Sequence, residues 1–390
     1  MPFASGGYHG LYHAAESVYG TTPVMPSPST WTPFRHTSCN IQLKRDQFES
    51  KELRADRAIT DMRLGTYKCD GDVGIELSYG AFDPILEALM GGTWAVAYAK
   101  TSLTVALHST NKTLIRSTGS WITDGVKVGD ILVLGACTTG TNNGNYTISV
   151  VDPGGLSLTW SATTASSPFT EAGNGAQTAT TTRFKLNQGI IQRSFSLLRR
   201  YTDITQYQIF SGCCPNKLSL DFKPGGMVTG SIGWIGSNVI ADINSGATYA
   251  AASTYSPMDA FSAAILEGGA AFAKASAITL TLENGIEADY VVGSKYAPQC
   301  TWGRSKLTGK LTAFFEDLAM YNKFLNETPS SLQITAGDGT RTLVFYMDNV
   351  KYTGADNPVS DEKPIHLDMG FAAVHDTVFT NLEINRNPGV

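Results

Sequence analysis

The chain has 390 residues, room for two or three domains and a sizeable core. Charged residues make up 16%, low against about 25% in typical soluble domains, and the 39 glycines suit either a turn-rich β protein or one that covers its surface against neighbours. A net charge of -5 excludes the basic footprint of a nucleic-acid binder, and no stretch approaches the about 20 apolar residues of a membrane helix.

Residues 1–30 are rich in Gly, Pro, Ser, Thr and Tyr and read as an arm rather than a packed element. They hold neither a basic region nor an apolar run, so no signal peptide is expected and assembly in the cytoplasm follows. A strand begins at Cys39, with Ile41 and Leu43 on one face. The stretch from Arg45 to Leu64 mixes both charge signs and predicts a long exposed loop or hairpin. Gly65 and Gly71 then punctuate an alternating strand with Val73, Ile75 and Leu77 on one face. A helix follows, with Asp83 as cap, Pro84 at its first position, a stripe of Phe82, Ile85, Leu86 and Leu89, and Gly91-Gly92 as its stop.

Residues 99–183 are Thr-, Ser- and Gly-rich and read as a small inserted β-domain, a compact barrel, with Asn143-Gly144 marking a hairpin. The segment GVKVGD lacks the Gly-Lys-Ser/Thr ending of a phosphate-binding loop. Strands resume at Phe184 and run as FKLN, RSFSLLRRY, QYQIFSG, NKLSLDF and MVTGSIGWIG. Residues 241–276 read as an alanine-rich connector, and the strand pattern returns at Ala277. The cysteines Cys39, Cys69, Cys137, Cys213, Cys214 and Cys300 form no CxxC pair and are expected free, with Cys213-Cys214 in a turn before Pro215.

An internal repeat emerges at a constant offset of 238 residues, from Gly65 to Gly303 and from Gly71 to Gly309. Val73 maps to Leu311, Ile75 to Ala313 and Leu77 to Phe315; the helix stripe maps onto Leu318, Tyr321, Phe324 and Leu325. Leu332 and Leu343 repeat the spacing of Phe184 and Phe195. Rings of single units commonly close with about six copies, so a tandem chain would close a similar ring with about three.

Several stretches resemble the major tail tube proteins of long-tailed, non-contractile bacteriophages. These are AESVYGTTPVMPSPSTWTPFR, ELRADRAITDMRLGTYKCDGDVGIELSYGAFDPILEALMGGTW, SFSLLRRYTDITQYQIFSGCCPNKLSLDFKPGGMVTGSIGWIG and, for the insert, GSWITDGVKVGDILVLG. The resemblance implies a mainly β fold with a few flanking helices: tandem tail-tube β-sandwich units at 31–98 with 184–240 and at 277–390, an exterior insert at 99–183, and a linker at 241–276. It implies a virion protein whose rings, trimeric and pseudo-hexameric or else hexameric, stack into a tube with a continuous β-barrel as inner wall. Its partners would be further copies of itself, a tape measure protein, tail terminator and distal tail proteins, and genomic DNA passing without specific binding. Loops at Arg45 to Leu64 and Asn284 to Trp302 would reach between rings. The contact candidates there are Asp46, Glu49, Lys51, Glu52, Arg54, Asp56, Arg57, Asp61 and Arg63, whose mixed charges suit register-setting. The net charge leads to the expectation of acidic lumen residues.

No catalytic constellation accompanies this. There is no HExxH, GxSxG or placed GxGxxG, and no cofactor is implied. His366, Asp368, His375 and Asp376 form the one mild cluster of possible ligands, which outward polar positions on a strand explain. The alternative from another class is a carbohydrate-binding or adhesin module that stacks glycans on Trp121, Tyr146 and Trp160; a glycan-cleaving enzyme would need paired acids, and none stands out.

Overall fold

A computed structural model describes residues 3–23, 30–166, 168–242, 248–359, 362–375 and 380–388. Residues 24–29 of the N-terminal stretch, 243–247 of the alanine-rich stretch and Asp376 lie outside the described residues. The fold is mainly β, with 52% strand and 6% helix. The chain divides into two compact units, one of Met1–Gly92, Gln188–Asp338 and Met347–Leu382, the other of Thr93–Asn187, Gly339–Tyr346 and Glu383–Val390.

The first unit is built on one continuous antiparallel ladder. Its order is Gln42–Glu49, Met62–Glu76, Thr229–Gly236, the second half of Gln206–Phe222, Ala275–Glu283, Lys306–Phe314, His366–Ala373 and Val350–Asp356 at the end of the strand Thr342–Asp356. Alternation explains which face is covered. Val73, Ile75, Leu218, Leu220, Ile278, Leu280, Leu307, Leu311, Met369 and Phe371 are all buried, while their strand neighbours are polar or small. The helix Asp83–Met90 adds Ile85, Leu86 and Leu89 to the core. Phe82 rather than Asp83 occupies its N-cap, and Gly91 ends it in the left-handed region at φ 60.

A second set of strands joins through Gln206–Phe222. Its first half pairs with Phe195–Tyr201 and Asn238–Asp242, and Phe195–Tyr201 pairs in turn with His9–Ala15. The N-terminal stretch therefore contains a packed strand, with Leu11, His13 and Ala14 buried. Glu16 fastens it: its carboxylate accepts from Ser194 Oγ at 2.7 Å, Ser196 Oγ at 2.7 Å and the Gly212 amide at 2.9 Å. Cys213 and Cys214 lie inside this long strand, not in a turn, and all six cysteines are free.

The ladder repeats itself. Lys217 stands opposite Gly233 just after a shift at Pro215, and Gly354 stands opposite Gly370 just after a shift at Tyr352. Val73 opposite Ile232 answers to Leu311 opposite Met369. The repeat differs from the sequence reading in three places. Ser330–Gly337 pairs with Asp259–Glu267 as Phe195–Tyr201 pairs with His9–Ala15, so Leu332 answers to that strand and not to Phe184. Asp259–Glu267 is itself a strand within the stretch read as a connector. In the second helix, Ala319–Leu325, Met320 is buried; of the expected apolar stripe Leu318 and Leu325 are exposed, while Tyr321 and Phe324 are half-buried. Lys323 docks that helix, donating to both Glu267 carboxylate oxygens at 2.7 Å.

The second unit contains a seven-stranded sheet within residues 99–181, in the order Ala99–Leu103, Gln177–Thr181, Ile131–Gly135, Gly144–Val151, Ser157–Thr163, Thr113–Arg116 and Val105–His108. The hairpin at Asn143 is longer than a two-residue turn: it spans 136–143, and the Asn143 carboxamide oxygen accepts from the Cys137 amide at 3.0 Å. Phe184–Asn187, Glu383–Asn387 and Thr342–Tyr346 pair beside it in the same unit.

Candidate functional site

The candidate site of this molecule is an unfinished sheet. Among the described residues Gln42–Arg45 has one ladder partner, Met62–Glu76, and Val350–Asp356 has one, His366–Ala373. Both ends of the ladder thus expose a row of backbone donors and acceptors, the arrangement that recruits another strand. In its middle the same ladder shows what such an edge does when filled. The last strand of the first half meets the first strand of the second, with Lys217 opposite Glu283, Ser219 opposite Thr281 and Asp221 opposite Thr279.

The uncovered face of the ladder is polar. It carries Ser219, Ser231, Thr279, Thr281 and Thr308, with Asp70, Asp72, Glu76 and Asp221 among Lys217, Lys306 and Lys310. Both signs are present on this face. Asp368 illustrates the mixing. It accepts from Lys310 at 2.8 Å and from Thr312 at 2.7 Å; burial raises its carboxyl, but these two bonds and the Lys310 charge outweigh it and hold the group below the usual range.

The charged stretch folds as a projecting hairpin in which every residue from Asp46 to Leu64 is exposed. Of the candidates, Asp46 pairs with Lys68 at 3.1 Å, Arg54 with Asp56 at 2.8 Å and Asp61 with Arg63 at 3.0 Å. The Arg54 guanidinium holds the Asp56 carboxyl below its ordinary value. Glu49, Lys51, Glu52 and Arg57 have no ion-pair partner among the described residues. Charge was the legible part; the apolar part was not. Phe48, Leu53, Ile59, Met62 and Leu64 also stand in solvent, Leu53 at 99% exposure. A two-stranded ribbon open on both faces is at best marginally stable in water, so such side chains call for a partner.

A family model described as phage tail tube protein matches residues 9–373. The chain belongs to the phage tail tube protein family. None of the curated proteins compared with it matches. As a tail tube protein it is a structural component of the virion tail. The remaining candidate features take structural roles beside this. Trp121, Tyr146 and Trp160 are buried together in the core of the seven-stranded sheet and cannot stack on a glycan. His366 lies 3.4 Å from Ser276 and Asp368 is taken up by Lys310 and Thr312; no metal-ligand cluster occurs among the described residues. Among those residues no helix is long and apolar enough to cross a membrane.

Proposed function

We propose that copies of this chain close into rings through the two open edges, and that the rings stack into the tube through which phage DNA reaches the host. The observation that carries the reading is the internal seam: Gln206–Phe222 pairs with Ala275–Glu283, and Val350–Asp356 and Gln42–Arg45, the counterparts of those two strands, are paired on one side only among the described residues. A second copy supplied at each end continues the ladder until it closes, which removes every edge. Each chain contributes two similar segments, which favours trimeric, pseudo-hexameric rings.

The polar face lines the bore in this arrangement. Its interspersed lysines and acids offer no continuous basic track, so DNA slides along it without specific binding. The charged hairpin residues Asp46, Glu49, Lys51, Glu52, Arg54, Asp56, Arg57, Asp61 and Arg63 set the register between rings. A tape measure protein occupies the bore during assembly, and terminator and distal tail proteins cap the ends. Negative-stain images of the purified protein test the reading. Rings or tubes with three chains per ring are expected; a strictly monomeric product under all conditions sinks it.

A further inference from the structure

Resting on the ring reading, we infer that the projecting hairpin lies sideways across the second half of the adjacent copy within a ring, burying Ile59, Met62 and Leu64 there. The chain contains the finished version of this contact. Residues 284–302 are the counterpart of the hairpin: Glu49 opposite Met62 corresponds to Ala288 opposite Cys300, reached in both halves through a one-residue shift in the ladder. This second segment does not project. It folds back over the strand ends of the first half, where Tyr67 N donates to Lys295 O at 2.8 Å, Tyr290 OH donates to Tyr67 O at 2.6 Å and Ser237 Oγ donates to Ala297 O at 2.8 Å. Cys300 packs there beside Cys214 and Ile235.

The buried positions of one segment are the stranded positions of the other. Ala297 and Cys300 are 2% and 7% exposed, whereas their counterparts Ile59 and Met62 are 63% and 53% exposed. Leu64, the counterpart of the partly buried Trp302, is 44% exposed. The hairpin projects where its counterpart lies folded back against the first half. The landing surface exists on the second half: Val374, 37% exposed, takes the place of Ser237, and the exposed Lys351 takes that of Cys214.

The test uses Ile59→Cys and Val374→Cys chains made separately, mixed before assembly and treated with a short bismaleimide. Mass spectrometry of the assembled fraction should find position 59 of one chain joined to position 374 of another, and the unassembled fraction should lack that link. Rings or tubes that form without the link overturn the inference and leave the ring reading standing. Failure of the unmodified protein to form rings or tubes overturns both. An Ile59→Asp, Met62→Asp variant gives a second readout. Its monomer should keep the circular dichroism and Tm of the parent, because both side chains are exposed there, while its ring fraction falls at least about tenfold. Assembly at the parental level overturns the inference.

Discussion

Arg183 is a buried cation whose every contact is accounted for. Its guanidinium donates to both Asp130 carboxylate oxygens at 2.6 and 3.1 Å, to Gly125 O at 2.7 Å and to the Asn385 carboxamide. Replacing Asp130 with Ala leaves the charge desolvated and unpaired, so the variant should lose about 3–5 kcal/mol in denaturant unfolding; a loss below about 1 kcal/mol would refute the assignment. His13 poses the reverse problem, a titratable ring held neutral. Burial alone brings its pKa from 6.5 to about 4, between the rings of Phe34 and Phe195. His9 on the same strand is also lowered to about 4, by burial first and then by His36 and Arg199. The folded pKa lies below the unfolded one, so the stabilisation is complete above pH 6.5 and drains away as pH falls towards about 4. Over that window the wild type should lose stability faster than His13→Phe, by about 1 kcal/mol per pH unit. Parallel pH profiles of the two Tm values would count against a neutral buried His13.

Strands that carry their own alternation, such as Val73 to Leu77 and Leu218 to Phe222, were readable from the sequence, as was the first helix with its stripe and its Gly91 stop. The elements that escaped depend on distant partners. His9–Ala15 is a strand because Phe195–Tyr201 lies beside it, and its Gly, His and Ala residues have no β preference of their own. Asp259–Glu267, with Ala260, Ser262, Ala263 and Ala264 in its first part, is ordered by Ser330–Gly337 in the same way. For the site, charge marked the hairpin but not its function, because isolated Ile, Met and Leu residues among ions look like ordinary surface until a repeat shows where their counterparts are buried. Gly212 shows how one residue turns two readings into one element. QYQIFSG and NKLSLDF are halves of a single strand that passes from one set of partners to another, and Gly212 makes the bend at φ 68. A Cβ there would lie 2.8 Å from Ser237 Cβ. Gly212→Ala should therefore cost about 1–3 kcal/mol by denaturant unfolding, and a neutral result would mean that the bend does not need the left-handed backbone.

At the scale of the whole molecule, the repeat decides where order should appear when copies meet. An internal seam and two loose ends made of the same strands differ in one respect, the presence of a neighbour. Strands Gln206–Phe222 and Ala275–Glu283 have theirs in every chain, so their amides should exchange slowly in the free protein and in the tube alike. The counterparts Val350–Asp356 and Gln42–Arg45 are each paired on one side only, so their outward-facing amides should exchange rapidly in the monomer. On assembly those two segments should gain protection together and to a similar extent, because each supplies the other's missing hydrogen bonds. Hydrogen exchange read by mass spectrometry on monomeric and assembled protein makes the comparison directly. Protection gained at one segment without the other, or tubes in which both continue to exchange as fast as in the monomer, would mean that the ring closes through some other surface and that the internal seam is not its template.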